Sequence, residues 1–145
     1  MINTGEVELD RSLSNRYRYQ LDFKTAYVDL DDTLILNGQV SLQVIKFIYQ
    51  CINQNRKVVL ITRHQHDLVE TLSKYHLSNL FDHIIHITQG ASKSDLITER
   101  DAIFIDDSFS ERLDVALNCE IPTFDGSMLE VLIDRVENSD GAKDG

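Results

Sequence analysis

The stretch that decides the fold of this 145-residue chain is Ala26-Tyr27-Val28-Asp29-Leu30-Asp31-Asp32-Thr33-Leu34. It predicts a short apolar strand that ends in acidic residues. Because strand side chains alternate between two faces, we expect Asp29 and Asp31 to leave the strand end on the same side. Two adjacent carboxylates repel each other unless a cation lies with them or one holds a proton. Since carboxylates bind Mg²⁺ and can attack phosphorus, the pair indicates a nucleophile and an acid/base beside a metal; a polar turn or helix cap is the alternative.

Three later segments place further polar groups at the ends or flanks of predicted elements. An apolar run ends in Thr62-Arg63, where the hydroxyl could donate to a phosphate oxygen or cap the next helix. Lys93 begins a short predicted helix, and its ammonium would be a point charge for a phosphate or for crowded carboxylates. A solvated surface lysine is the alternative there. Another apolar run ends in Asp106-Asp107. Two acid pairs at separate strand ends indicate a divalent-cation site.

The order of these motifs, Asp-x-Asp-x-Thr, then Thr, Lys and Asp-Asp, resembles the haloacid dehalogenase superfamily of phosphatases and related phosphotransferases. The resemblance extends from about Tyr27 to Phe124. The main departure is Asp32, where many members have glycine. Aspartate is a familiar variant at that position, so activity remains the expectation.

The resemblance implies a Mg²⁺-dependent phosphomonoester hydrolase that acts through an aspartyl-phosphate intermediate on Asp29. Asp31 would be the general acid/base, Thr62 would hold the phosphoryl group and Lys93 would neutralise it. The metal site would consist of Asp29, Asp31, Asp106 and Asp107. The expected substrate contacts come from Thr62, Arg63 and Lys93, and His64 is a further candidate because it follows Thr62 closely.

Composition sets limits on the partners. The formal net charge is −10 at pH 7, which argues against non-specific binding to nucleic acid or to anionic membranes. Residues 1–20 are polar and charged and do not resemble a signal peptide, so a cytoplasmic location is expected. Cys51 and Cys119 are expected to be buried thiols rather than a disulfide. The histidines lack the convergent set of ligands that a zinc site requires.

The pattern predicts that strands and helices alternate along residues 23–136, between an N-terminal extension (1–22) and a flexible C-terminal tail (137–145). Strands are predicted near 25–30, 57–61, 84–87, 102–106 and 121–124. Helices are predicted near 42–54, 66–76, 93–99, 110–118 and 127–136. This alternation predicts a three-layer α/β/α, Rossmann-like domain with a five-stranded parallel sheet. The family resemblance adds the strand order 5-4-1-2-3. Ligands of such sheets bind beyond the carboxyl ends of the strands.

The chain leaves little room for a cap domain. Members of the superfamily insert caps between the first and second motifs or between the second and third. Residues 34–61 and 63–92 are each filled by the predicted elements of the core. We therefore expect a capless domain with an open site, covered by a large phosphorylated substrate, a second copy of the chain or a partner domain. The substrate could belong to sugar or polysaccharide metabolism.

Two alternatives to an active phosphatase stay open. One is a regulatory or accessory phosphatase-like module that works beside another enzyme. The other is a phospho-acceptor receiver domain, which also uses acidic residues, threonine and lysine on a doubly wound sheet. The order of the motifs fits a receiver poorly, because Lys93 precedes the second acid pair.

Overall fold

The computed structural model describes residues 21–133, which form an α/β domain with a five-stranded parallel sheet flanked by helices. The strands of this sheet are β1 (Thr25–Val28), β4 (Lys57–Thr62), β5 (His83–His86), β6 (Ala102–Ile105) and β7 (Thr123–Phe124). A separate hairpin pairs β2 (Ile35–Leu36) with β3 (Gln39–Val40). The helices are α1 (Leu42–Asn53), α2 (Leu68–Lys74), α3 (Lys93–Leu96), α4 (Phe109–Cys119) and a 3₁₀ helix (Gly126–Leu132).

The strand order is β5-β4-β1-β6-β7. These labels differ from the expected 5-4-1-2-3 because the sequence did not predict the β2–β3 hairpin, which takes two numbers. Counted without the hairpin, the five strands read 3-2-1-4-5, so each strand has the neighbours that the resemblance implied. A receiver domain has the order 2-1-3-4-5, and the observed topology therefore argues against that alternative.

The central strand is buried because both of its faces are covered. Ala26 and Val28 pack into a core cluster with α1, α2 and the 3₁₀ helix, whereas Tyr27 packs into a second cluster with α3 and α4. This alternation follows from the two-residue period of a strand. It explains why the strands read as continuous apolar runs in the sequence.

Helix α1 illustrates how local sequence sets an element. The side chain of Ser41 accepts a hydrogen bond from the Val44 backbone N–H and caps the helix. Val44, Phe47, Ile48 and Cys51 are all buried on one face, at the spacing of an amphipathic helix. Cys51 and Cys119 are buried free thiols, as the sequence predicted.

Several predicted boundaries were wrong. Strand β1 ends at Val28 instead of residue 30, β7 begins only at Thr123, and α3 stops at Leu96. The predicted helix near 127–136 is a 3₁₀ helix from Gly126 to Leu132. Its buried residues are Met128, Leu129, Val131 and Leu132. They form two pairs spaced three apart, which matches the three residues per turn of a 3₁₀ helix.

The expected extension (1–22) lies almost entirely outside the described residues, and the expected tail (137–145) lies outside them completely. Within the described part of the chain, every helix is too short or too polar to span a bilayer.

Candidate active site

Asp29, Lys93 and Asp106 form a buried ionic cluster at the carboxyl edge of the sheet. Strands β1 and β6 pair in register up to Val28 and Ile105. The residue that follows each strand is an aspartate, so Asp29 and Asp106 lie side by side. The ammonium of Lys93 donates to Asp29 Oδ1 at 2.8 Å and to Asp106 Oδ2 at 2.7 Å. Asp29 is 8% exposed, and Lys93 and Asp106 are each 2% exposed. Lys93 is therefore not the solvated surface lysine of the alternative reading.

The electrostatics of this cluster are only partly balanced. Burial, and then the charge of Asp106, raise the pKa of Asp29 from 3.8 to about 7, although Lys93 opposes the shift. Burial likewise raises the pKa of Asp106 against the effect of Lys93. Burial opposes the charge of Lys93, but the two carboxylates outweigh it and raise the pKa of that ammonium. One cation thus serves two carboxylates, and a second cation would relieve their repulsion.

Thr33 joins the two acidic strand ends. Its hydroxyl donates to Asp29 Oδ2 at 3.3 Å and accepts from the Asp107 backbone N–H at 2.9 Å. Thr33 is 1% exposed, so these bonds are shielded from water. The motif Asp-x-Asp-x-Thr contains this residue, but the sequence assigned it no role. The structure shows that it ties the two loops together.

Asp31 reaches the site through a turn and not through a continuing strand. The carbonyl of Leu30 accepts hydrogen bonds from the backbone N–H groups of three residues, Thr33, Leu34 and Ile35. The next residue, Asp32, has a φ of 63°, in the left-handed region that Gly, Asn and Asp tolerate best. Asp31 and Asp29 consequently line the same cavity, as expected, but the side chain of Asp31 is 49% exposed.

His64 contacts Asp31 directly. Its Nδ1 lies 2.8 Å from Asp31 Oδ2, and its Nε2 lies 2.8 Å from the Thr71 hydroxyl on α2. The imidazole is 9% exposed and packs edge-on against His66. The sequence suggested His64 as a substrate contact, and this link to Asp31 could not be read from it because the two residues lie far apart in the chain.

Thr62 and Arg63 occupy the end of β4. Thr62 is fully buried, and its hydroxyl accepts from the His64 backbone N–H at 3.0 Å, which leaves its own proton to donate. Arg63 lines the cavity, but its guanidinium is bound to Glu111 through Nε at 2.7 Å and to the Ala91 carbonyl through Nη1 at 2.8 Å. Arg63 is therefore held in place before any ligand binds.

The loop after β6 is fixed by hydrogen bonds of its own. The Ser108 backbone N–H donates to Asp106 Oδ1 at 2.9 Å. Arg112, which is 6% exposed, donates to the carbonyls of Asp106 at 2.9 Å and Asp107 at 3.1 Å. Asp107 itself remains exposed beside the cavity. The sequence assigned no site role to Arg112 or Glu111, whose roles depend on helix α4 packing against this edge.

These side chains surround an open cavity of about 200 Å³. Its lining residues are Asp29, Asp31, Asp32, Arg63, Lys93, Asp106, Asp107, Ser108 and Glu111. Six carboxylates face two cations in this set. A larger cavity of about 400 Å³, between the ends of α1 and α2, has no carboxylate in its lining. The acidic cavity is therefore the better candidate for metal-assisted chemistry.

The donor set suits a hard cation. Carboxylate oxygens are the ligands that Mg²⁺ prefers, and the ion usually takes only one or two from the protein and the rest from water and substrate phosphate. Among residues 21–133, no three His, Cys, Asp or Glu side chains already converge as a closed metal cage. Two buried carboxylates that share one ammonium fit a site of the open kind.

Comparison with known proteins supports the fold. No protein-family model and no curated protein matches the chain. The NMR structure of the core domain of a candidate phosphoglycolate phosphatase from Streptococcus pneumoniae is 12% identical with a TM-score of 0.53, covering 84% of this chain and 96% of that one. A crystal structure of an uncharacterized protein from Corynebacterium glutamicum is 11% identical with a TM-score of 0.50, covering 76% of this chain and 95% of that one. At these identities the likeness shows the fold alone.

Proposed function

We propose that this protein is a Mg²⁺-dependent phosphomonoester hydrolase of the haloacid dehalogenase type, with Asp29 as its nucleophile. The observation that carries the proposal is the buried cluster of Asp29, Lys93 and Asp106 at the carboxyl ends of adjacent strands. The fold and the motif order support it, and so does the likeness to a phosphatase core domain.

In the first half of the reaction, a carboxylate oxygen of Asp29 attacks phosphorus. The new bond joins Asp29 to the phosphoryl group, and the bond from phosphorus to the leaving oxygen breaks. Asp31 gives its proton to that oxygen, so the product is a neutral alcohol. Thr33 and Lys93 hold the two oxygens of Asp29, which orients the nucleophile.

In the second half, water hydrolyses the aspartyl-phosphate. Asp31, now ionised, takes a proton from water as the oxygen attacks phosphorus, and the bond to Asp29 breaks. Inorganic phosphate leaves, and the proton from water replaces the one that Asp31 gave to the alcohol in the first half. Asp31 can exchange protons with solvent between turnovers because its side chain is half exposed.

The phosphoryl oxygens need positive charges and hydrogen-bond donors around them throughout the reaction. We assign Lys93, Thr62 and Arg63 to that task, and Asp29, Asp106 and Asp107 as the residues that would hold Mg²⁺. The carboxyl group of Asp31, which the sequence also offered as a ligand, lies against His64 and is proposed instead to carry the catalytic proton. The ion would supply charge to stabilise the transferring phosphoryl group. Arg63 is already oriented by Glu111, so its side chain would not have to change rotamer when the phosphoryl group binds.

The site is open, and we propose that the elements of the core are not supplemented by a cap. Residues 34–61 form the β2–β3 hairpin, α1 and β4, and residues 63–92 form α2 and β5. A large phosphorylated substrate, a second copy of the chain or a partner domain would then exclude water from the reacting groups.

The test is phosphate release from p-nitrophenyl phosphate with Mg²⁺ and with excess EDTA. The wild-type protein should hydrolyse the ester only with the metal. Asp29→Asn should lower the rate at least about a hundredfold, which corresponds to a barrier about 2.7 kcal/mol higher. The control is Asp101→Asn, an exposed aspartate that precedes β6 whereas Asp106 follows it. Full activity in EDTA would refute the metal, and an active Asp29→Asn protein would refute the nucleophile.

A further inference from the structure

We propose that His64 is the positioning residue for the catalytic acid, and that Thr71 fixes the imidazole for that task. The inference rests on the proposed function and adds to it a pair of residues from outside the four motifs. It starts from two hydrogen bonds of 2.8 Å, one on each nitrogen of the same imidazole.

The bond network determines where the protons of His64 are. An ionised carboxylate accepts hydrogen bonds only, so Nδ1 must carry a proton when it contacts ionised Asp31. In the neutral imidazole Nε2 is then an acceptor, and the Thr71 hydroxyl donates to it. Asp31 therefore sets the tautomer, and Thr71 accommodates it because its hydroxyl can donate to the bare Nε2 and hold the ring in place.

Asp31 needs such a partner because little else holds it. Its side chain is 49% exposed, whereas Asp29 and Asp106 are buried and held by Lys93. A half-exposed carboxyl group rotates freely unless a bond restrains it, and an acid must lie within hydrogen-bond reach of the leaving oxygen. With Oδ2 held by His64, Oδ1 remains available to the substrate.

His64 is itself restrained from several sides. Thr71 belongs to α2, and the carbonyl of His64 lies 2.9 Å from Nε2 of His86, the last residue of β5. The His64 backbone N–H donates to Thr62, and the ring packs against His66. The imidazole is thus fixed to the core, so it can transmit that rigidity to Asp31.

The decisive comparison uses two esters that differ in their need for an acid. Glycerol phosphate has a poor leaving group that must be protonated, whereas p-nitrophenyl phosphate has a good one. We expect His64→Ala to lower kcat/KM for glycerol phosphate by roughly 10- to 100-fold, part of what general acid catalysis supplies. For p-nitrophenyl phosphate, kcat/KM should fall by less than about threefold. An equal loss on both esters would mean a purely structural role and would overturn the proposal.

Conservative variants separate position from bulk. The amide nitrogen of asparagine is bonded to the γ-carbon, as Nδ1 is, whereas that of glutamine lies one bond further out. His64→Asn should therefore retain most of the activity on glycerol phosphate, and His64→Gln should behave like His64→Ala. Thr71→Val should show a smaller loss in the same direction, restored in Thr71→Ser. If glutamine rescues as well as asparagine, the donor at Nδ1 is not what matters.

A spectroscopic measurement decides the tautomer without any turnover. The ¹⁵N shifts of the His64 imidazole, assigned by their loss in His64→Asn, should show a protonated Nδ1. A bare Nδ1 with a protonated Nε2 would overturn the proposal whatever the kinetics show. Failure of the proposed function looks different: the wild-type protein would hydrolyse neither ester, and the role of a catalytic acid would fall with it.

Discussion

Asp29→Asn should make the metal-free protein more stable than the wild type as the pH rises, even though it removes the proposed nucleophile. The pKa of Asp29 is raised from 3.8 to about 7 by burial and by Asp106. The folded protein therefore binds this proton more tightly than the unfolded chain does. The stabilisation from the proton is complete below about pH 4 and is lost as the pH rises through 7. Asparagine mimics the protonated carboxyl group at every pH.

The magnitude follows from the shift. A change of about 3 pKa units corresponds to about 4 kcal/mol over the whole window. About 2.5 kcal/mol of that change falls between pH 5 and pH 8. Across this interval the unfolding free energy of the wild type should thus fall relative to that of Asp29→Asn by about 2.5 kcal/mol.

The assay is urea unfolding in EDTA at the two pH values, with wild type, Asp29→Asn and a matched control. Asp101→Asn is the control, because Asp101 is exposed and precedes the strand that Asp106 follows. Its pH dependence should match that of the wild type. Repeating the series with Mg²⁺ should flatten the wild-type curve, since the cation takes over from the proton. Parallel curves for wild type and Asp29→Asn in EDTA would refute the electrostatic reasoning.

Three further outcomes are expected. Lys93→Met should lower the unfolding free energy in EDTA by about 3–5 kcal/mol at pH 8, because it strands two buried carboxylates. The loss relative to the wild type should be smaller at pH 5, and an equal loss at the two pH values would contradict this. Asp32→Gly should fold and turn over like the wild type, whereas Asp32→Val should lose about 1–2 kcal/mol in thermal unfolding because of the φ of 63°; equal stabilities would contradict this. Because the site is open, a small sugar phosphate should be a poor substrate, and a strictly monomeric protein with kcat/KM of order 10⁵ M⁻¹s⁻¹ on it would overturn that expectation.

The parts of the molecule that could be predicted are those encoded by short stretches of sequence. Apolar runs that end in Asp29, Thr62 and Asp106 mark strand ends, and parallel strands bring their carboxyl ends to one edge. The sheet topology and the convergence of Asp29, Asp106 and Lys93 follow from these local signals combined with the family resemblance.

The remaining features depend on contacts between distant segments. The bond from His64 to Asp31 and that from Arg63 to Glu111 join segments whose relative placement no local pattern records. The early end of β1 has a local cause instead, a turn in which three N–H groups converge on the Leu30 carbonyl. The hairpin β2–β3 was missed because two-residue strands carry almost no periodicity.

The position of the acidic cluster follows from the register of the sheet. Since Val28 pairs with Ile105, an aspartate after each strand must bring two carboxylates together in a buried place. Such an arrangement destabilises a fold unless cations balance it, and Lys93 balances only half of the charge. The chain therefore carries an electrostatic strain that a bound cation would relieve. A structural role would be served better by an apolar pair, so the presence of two buried acids around one lysine supports the proposed role in binding and chemistry.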